Sequence, residues 1–281
     1  MSDRRDAGAS IVRALATVML AGVVLASIAG GIAKGTDDLV EVDLELILAV
    51  DVSRSIDGDE HRLQREGYVA AFRHPDLLRA IRSGPIGRIA VVYFEWAGKR
   101  HQSVAVPWTV LGDGNDAEAF ADALAAQPIL PEAGTSISAS LMFAERIFDV
   151  SGARGLRRAI DISGDGVNND GPALAEVRQR LIANGITING LPIDLGPEGV
   201  GDLTDYFECC IVGGPGAFAI AVGDKTELAA AIRRKLVLEI AWLTTPPVPV
   251  SFVSADRASN PPYGRGYGGS RQTRSVTNPL H

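Results

Sequence analysis

Short apolar runs recur through the middle of the chain, separated by amphipathic stretches of helical period. The first run, "VDLELILAVD" at 42–51, is continuous enough in Leu, Ile and Val to predict a strand buried on both faces. A helix is expected from about Asp59 to Phe72, with Asp57 or Asp59 as its N-cap. Gly87–Trp96 and His101–Trp108 are close enough to form a hairpin. The second of these is an edge candidate, because Pro107 has no N–H to give a ladder. Asp116 is expected to cap a helix "AEAFADALAA", and "SISASLMFAERIFDV" reads as the next helix. Then follow a strand "LRRAIDIS", a helix "GPALAEVRQRLIANG", a strand "ITINGLPI", a loop through "DYFECC", a short strand "AFAIAV" and a last helix "KTELAAAIRRKLVLEIA". Strands alternating with helices predict an α/β fold, a doubly wound, mostly parallel sheet flanked by helices on both faces, over residues 42–241. No repeat of solenoid period interrupts that pattern.

The two ends break the alternation. Ala14–Ala33 is an unbroken apolar run behind Arg4, Arg5 and Arg13, which reads residues 1–36 as a signal peptide or an N-terminal membrane anchor. With the arginines held inside, everything after Lys34 crosses the inner membrane, so the chain is expected to be exported: periplasmic, extracellular or anchored. Residues 246–281 are rich in Pro, Gly, Ser and Arg without apolar period and read as a disordered tail.

Composition narrows the chemistry. The chain has 281 residues, 46% of them hydrophobic, enough for a substantial core. Its net charge of −7 argues against a body that grips nucleic acid through phosphate neutralisation. His61, His74, His101 and His281 stand singly, with no zinc spacing. Cys209 and Cys210 are adjacent, poorly placed for an unstrained bridge, and read as buried small hydrophobes. Asp57, Asp59, Asp113, Asn115, Asn168, Asn169 and Asp170 fit no calcium-loop spacing and read as turns or caps. Glu95, Trp96 and Trp108 read as packing at strand ends, and "GGPG" at 213–216 as a turn.

In a doubly wound sheet, ligands bind beyond the carboxyl ends of the strands. Three loops can reach that crevice. The first carries "DVSRS", where Asp51, Ser53 and Ser55 recur at period two and, in an extended chain, face one way. The second is "EAGTSIS", with Thr135 just ahead of a helix. The third is "ISGDGVNNDG", with Asp165 between Gly164 and Gly166, whose backbone freedom suits a turn. Carboxylate, hydroxyl and water oxygens together suit a small hard cation, Mg²⁺ especially.

Asp-x-Ser-x-Ser, then Thr, then Asp on three successive loops resembles a von Willebrand factor type A domain over about 42–241. "LAVDVSRSID", "VVYFEWAG", "GTSIS", "DISGDGVNN" and "IVGGPGAF" are similar to a bacterial group of exported proteins with this domain. The resemblance implies a metal-ion-dependent adhesion site of Asp51, Ser53, Ser55, Thr135 and Asp165 around Mg²⁺ or Mn²⁺. It implies a non-enzymatic module in which a protein partner offers an Asp or Glu to the metal, and loop rearrangement moves the last helix. One departure stands out: the commoner third loop reads Thr-Asp-Gly, whereas Gly164 precedes Asp165 here. Two other readings share these residues. A phosphoryl-transfer hydrolase of the haloacid dehalogenase type also places Asp after the first strand, but wants a second acid two residues on, where Ser53 stands. A structural domain with an empty site is the third.

Overall fold

In the computed structural model, residues 39–56, 58–195 and 201–241 are described. The expected leader at 1–36 and tail at 246–281 lie outside them. Five strands, β1 (Val40–Asp51), β2 (Ile89–Trp96), β3 (Gln102–Leu111), β4 (Ala153–Gly164) and β5 (Ile186–Pro192), form one sheet in the order β3-β2-β1-β4-β5. β1 pairs in parallel with β2 and β4, β4 with β5, and only β3 runs antiparallel, at the edge. The ladder slips between Val91 and Tyr93, whose partners are Thr109 and Val106, so Pro107 sits where the edge strand bulges.

Among the described residues seven α-helices cover the sheet: α1 (Gly58–Phe72), α2 (Pro75–Arg82), α3 (Gly114–Ala125), α4 (Ile137–Ile147), α5 (Leu174–Ala183), α6 (Gly201–Cys210) and α7 (Leu228–Ile240). The period-two geometry of β1 sorts them into two layers. Leu44, Leu46, Leu48 and Val50 pack against Phe72, Leu77, Phe120 and Leu236 of α1, α2, α3 and α7. Ile47 and Ala49 point the other way, into a core with Leu141, Leu181 and Phe207 of α4, α5 and α6. Burial on both faces is why the strand reads as a continuous apolar run.

Several local expectations change. Asp113, not Asp116, caps α3; Asp113 accepts from the Asn115 and Asp116 amides while Asp116 accepts from the Asp113 amide, a reciprocal capping box. Helix α2 is not among the elements expected from the apolar pattern; Pro75 opens it and His74 Nδ1 accepts the Asp76 N–H at 3.2 Å. "DYFECC" is helix rather than loop, because Leu203, Tyr206 and Phe207 fall on one buried stripe. "AFAIAV" makes only isolated bridges, Gly190–Ala219 and Ile193–Val222, beside β5. Cys209 is exposed and Cys210 half-buried, and the two are joined as a vicinal disulfide, against the reading as buried small hydrophobes.

Candidate metal-binding site at the carboxyl ends of the strands

Asp51 ends β1, opposite Trp96 at the end of β2, and the Val52 N–H donates to the Trp96 carbonyl at 2.8 Å. The chain does not stay extended to Ser55. Asp51 Oδ1 accepts the Ser53 N–H at 2.7 Å, and the Ile56 N–H returns to the Ser53 carbonyl at 3.2 Å. A carboxylate that captures the amide two residues on bends the backbone into a turn. The hydroxyls still converge: Ser53 Oγ and Ser55 Oγ are 2.9 Å apart, and the Ser55 hydroxyl donates to Asp165 Oδ1 at 2.9 Å. Four of the five expected residues thus meet in one hydrogen-bonded chain between the first and third loops.

Gly164 serves a different purpose from the one expected. It is not among the glycines with positive φ. A Cβ on it would lie 3.1 Å from Asp51 Oδ2 and 3.3 Å from Cζ2 of the fully buried Trp96. The indole fills the space that a side chain before Asp165 would need, so glycine there is a packing requirement.

Thr135 enters through its backbone. Its N–H donates to Asn169 Oδ1 at 3.1 Å, and its carbonyl accepts the Asn169 N–H at 3.0 Å. It is not the cap of α4, a role taken by Ser136, whose Oγ accepts the Ala139 N–H. Thr135 Cγ2 faces Gly166, at 3.9 Å from the Cβ position of that glycine. Asn168 extends the clamp: its Oδ1 accepts the Ser138 N–H at 2.9 Å, and its own N–H donates to Tyr206 Oη at 3.1 Å. These asparagines, which the sequence pattern assigns to turns, join the second and third loops to each other and to α6. The only sequence signal for them is an adjacent amide pair just after the glycine-flanked Asp165.

Glu95 is buried and ion-paired with Arg65 of α1, whose Nη1 donates to the Leu124 carbonyl at 2.9 Å. Trp108 Nε1 donates to the Ile147 carbonyl at 2.9 Å. Both sit in packing roles, as expected.

The electrostatics of the pair are unusual. Asp51 is fully buried and its Oδ2 has no hydrogen-bond partner among the described residues. Burial, with the nearby Asp165 carboxylate, pushes its pKa up from 3.8 to about 7, the Ser53 amide offsetting part of the rise. Asp165 is also raised, chiefly by burial, with the Ser55 hydroxyl opposing. Among the described residues no three His, Cys, Asp or Glu side chains cluster as metal ligands. The donor set here is two carboxylates and hydroxyl oxygens. It suits a hard divalent cation, which would relieve the repulsion and satisfy the orphaned oxygen.

The sheet order, the helices on both faces and the loops at its carboxyl edge make this an α/β protein with a doubly wound, mostly parallel sheet. More narrowly, the chain belongs to the family described as "Protein of unknown function (DUF1194)", whose model matches residues 41–244. By fold it is similar to proximal thread matrix protein 1 from the mussel byssus. One crystal form of that protein gives a TM-score of 0.52 at 16% identity, covering 70% of this chain and 48% of that one. The same protein "with zinc occupied MIDAS motif" gives 0.50 at 17% identity, covering 72% and 48%. The pilus adhesin SpaC from Lactobacillus rhamnosus GG, in its open conformation, gives 0.50 at 12% identity, covering 71% and 30%. At these identities the likeness is one of fold, and the chain spans less than half the length of each of these proteins. No curated protein matches it.

Proposed function

We propose that the domain is a non-enzymatic, divalent-cation-dependent protein-binding module, with Asp51, Ser53, Ser55, Thr135 and Asp165 holding Mg²⁺ or Mn²⁺. The observation that carries the reading is the buried, unpartnered Asp51 Oδ2 beside a second carboxylate. A buried carboxylate beside another acid is costly to the fold, and a site for a cation is the simplest return for that cost. Held by these residues, a divalent cation would supply the positive charge that attracts an Asp or Glu of a protein partner. Asp51 and Asp165 would offset most of its charge, and the Ser53, Ser55 and Thr135 hydroxyls would add neutral oxygens, so part of its attraction for a further carboxylate would remain. The reciprocal hydrogen bonds between Asn169 and the Thr135 backbone fix the second loop against the third. With residues 1–36 as an export signal or anchor, the module works outside the inner membrane. Among the described residues no helix is long and apolar enough to cross a membrane.

Thermal melts in chelator and in Mg²⁺ or Mn²⁺, for the protein and for Asp51→Ala, test the reading. A cation that binds only the folded state raises the melting temperature by mass action, and the rise is expected to vanish in Asp51→Ala. An unmoved wild-type melt, or an equal shift in the variant, overturns it. Mg²⁺-dependent hydrolysis of p-nitrophenyl phosphate that disappears in Asp51→Asn would make the protein a phosphoryl-transfer enzyme instead.

A further inference from the structure

A pocket of about 530 Å³ opens between the β2–β3 turn, one face of α4 from Ala139 to Arg146 and the end of the third loop. Its lining mixes apolar Met142 and Pro172 with cationic Lys99, Arg100 and Arg146, Met142 and Arg146 being one turn apart on the same face of α4. A single acid, Asp170, stands among them, its Oδ1 3.2 Å from Lys99 Nζ. The exposed Arg100 and Arg146 have no acidic partner among the described residues, and the Arg146 guanidinium lies 6.0 Å from the Phe143 ring centroid. Three cations around one acid reverse the sign of a chain whose net charge is −7.

This pocket is built from the loops that carry the candidate metal site. Asp170 follows Asp165 in the third loop, and its carbonyl accepts from Ser136 Oγ at 2.8 Å and Ser138 Oγ at 3.4 Å. Its neighbour Asn169 is the residue that clamps Thr135. A segment that offers a carboxylate to a cation held by Asp51 and Asp165 thus meets loops that also carry the cationic residues of the pocket.

We infer that the pocket is a second contact for the same partner, and that the recognised segment is an extended acidic stretch with two carboxylates on either side of an apolar residue. One carboxylate meets the cation, the apolar side chain lies against Met142 and Pro172, and the second carboxylate meets Arg100 and Arg146. The inference rests on the metal-dependent reading above. A lone carboxylate at a cation selects no particular acid, whereas a second tethered contact discriminates at high effective concentration. Guanidinium groups suit that task because their planar forks engage a carboxylate with two hydrogen bonds.

Fluorescence anisotropy with the full-length protein tests this. The labelled peptides carry Asp-Leu-Glu, Asp-Leu-Gly-Glu or Asp-Leu-Gly-Gly-Glu between glycines, beside controls with Gln for Glu, in Mg²⁺ and in chelator. In Mg²⁺, the best two-acid peptide is expected to bind about tenfold more tightly than its Gln control, the sum of two exposed charge pairs. The Arg100→Ala/Arg146→Ala variant is expected to lose that advantage, while its Mg²⁺-induced thermal shift reports that fold and cation binding are intact. Two-acid peptides no better than their controls, or an advantage that survives in the variant, overturn the inference while metal-dependent binding stands. A chelator that leaves the binding unchanged, or no Mg²⁺ thermal shift, removes the metal-dependent reading and the inference with it. Tighter binding of a single-stranded oligothymidylate that is lost in the variant also overturns the inference, since the cationic residues would then serve a phosphate backbone.

Discussion

Replacing Asp51 with asparagine removes a buried charge without changing its shape, and the consequence depends on pH in a calculable way. The carboxyl ionises near 3.8 in the open chain and at about 7 in the fold. Between those values the folded state holds a proton that the unfolded state has released. A carboxyl raised by folding therefore loses stability for the protein as pH climbs through that window, and the loss is complete above about 7. At about 1.4 kcal/mol per unit, the full penalty is roughly 4 kcal/mol, of which about 2–3 kcal/mol accrues between pH 5 and pH 8. The Asp51→Asn variant would keep the acceptor for the Ser53 N–H. Its new amide group would meet no acceptor at the Oδ2 position, a cost of about 1–3 kcal/mol that does not vary with pH. The diagnostic quantity is the difference between the two proteins. In chelator, urea unfolding is expected to show wild type losing about 2–3 kcal/mol relative to Asp51→Asn from pH 5 to pH 8, or about 5–10 °C in Tm. Raised acids remote from Asp51, Glu239 among them, contribute the same slope to both proteins and cancel, while the coupled Asp165 belongs to the difference being measured. Saturating Mg²⁺ at pH 8 is expected to restore wild type alone. Parallel stability curves for the two proteins in chelator would refute the reasoning, because Asp51 would then titrate normally and carry no stored repulsion.

Further outcomes follow from neighbouring contacts. Gly164→Ala is expected to destabilise by about 1–3 kcal/mol and to weaken the Mg²⁺ thermal shift, since the new methyl meets Asp51 Oδ2 and Trp96; Trp96→Phe should recover part of the stability loss in the double variant. Asn169→Ala removes the side-chain acceptor for the Thr135 N–H and is expected to cost about 1–2 kcal/mol by chemical denaturation, with a smaller Mg²⁺ shift than wild type. Under α7, Lys235 Nζ lies 2.5 Å from Asp161 Oδ1 and 2.6 Å from Glu239 Oε1, all three buried. Lys235→Met leaves two acids unopposed and is expected to cost about 3–5 kcal/mol in urea unfolding. Burial and Asp161 push Glu239 up to about 8 even with Lys235 opposing, and without that cation the carboxyl is held higher still, so the loss in Lys235→Met is expected to grow as pH climbs past 8; a loss that stays constant there would contradict the assignment.

The architecture is legible in the sequence because burial on both faces leaves a plain mark: β1, β2 and β4 read as strands for the reason that they fill the middle of the sheet. The edge is legible from one residue, Pro107, which cannot donate to a ladder. What the pattern does not carry is local and settled by tertiary contact. The stripe Leu203, Tyr206 and Phe207 is too short to announce a helix beside two cysteines, and only the contact of all three with the core commits it. The capping of α3 by Asp113 is hidden because two acids three residues apart each fit the role, and the structure uses both reciprocally. At the candidate site, the order Asp51, Ser53, Ser55, Thr135, Asp165 is visible as spacing, but the turn that Asp51 imposes on its own loop is not. Gly164 suggests conformational freedom and proves to be required for space beside Trp96, a contact across the sheet that no local pattern reports. Lys235 and Asp161 give no signal of their own, because a buried ion pair is recognisable only once both partners are placed.

Diffraction from crystals grown in Mn²⁺, with anomalous differences collected for the metal, tests the central claim most directly. A single peak is predicted within coordination distance, about 2.0–2.6 Å, of oxygens from the Asp51, Ser53 and Ser55 loop, with Thr135 and Asp165 bound directly or through water. No peak between Asp51 and Asp165 at saturating Mn²⁺, or a peak held by other residues, would contradict it.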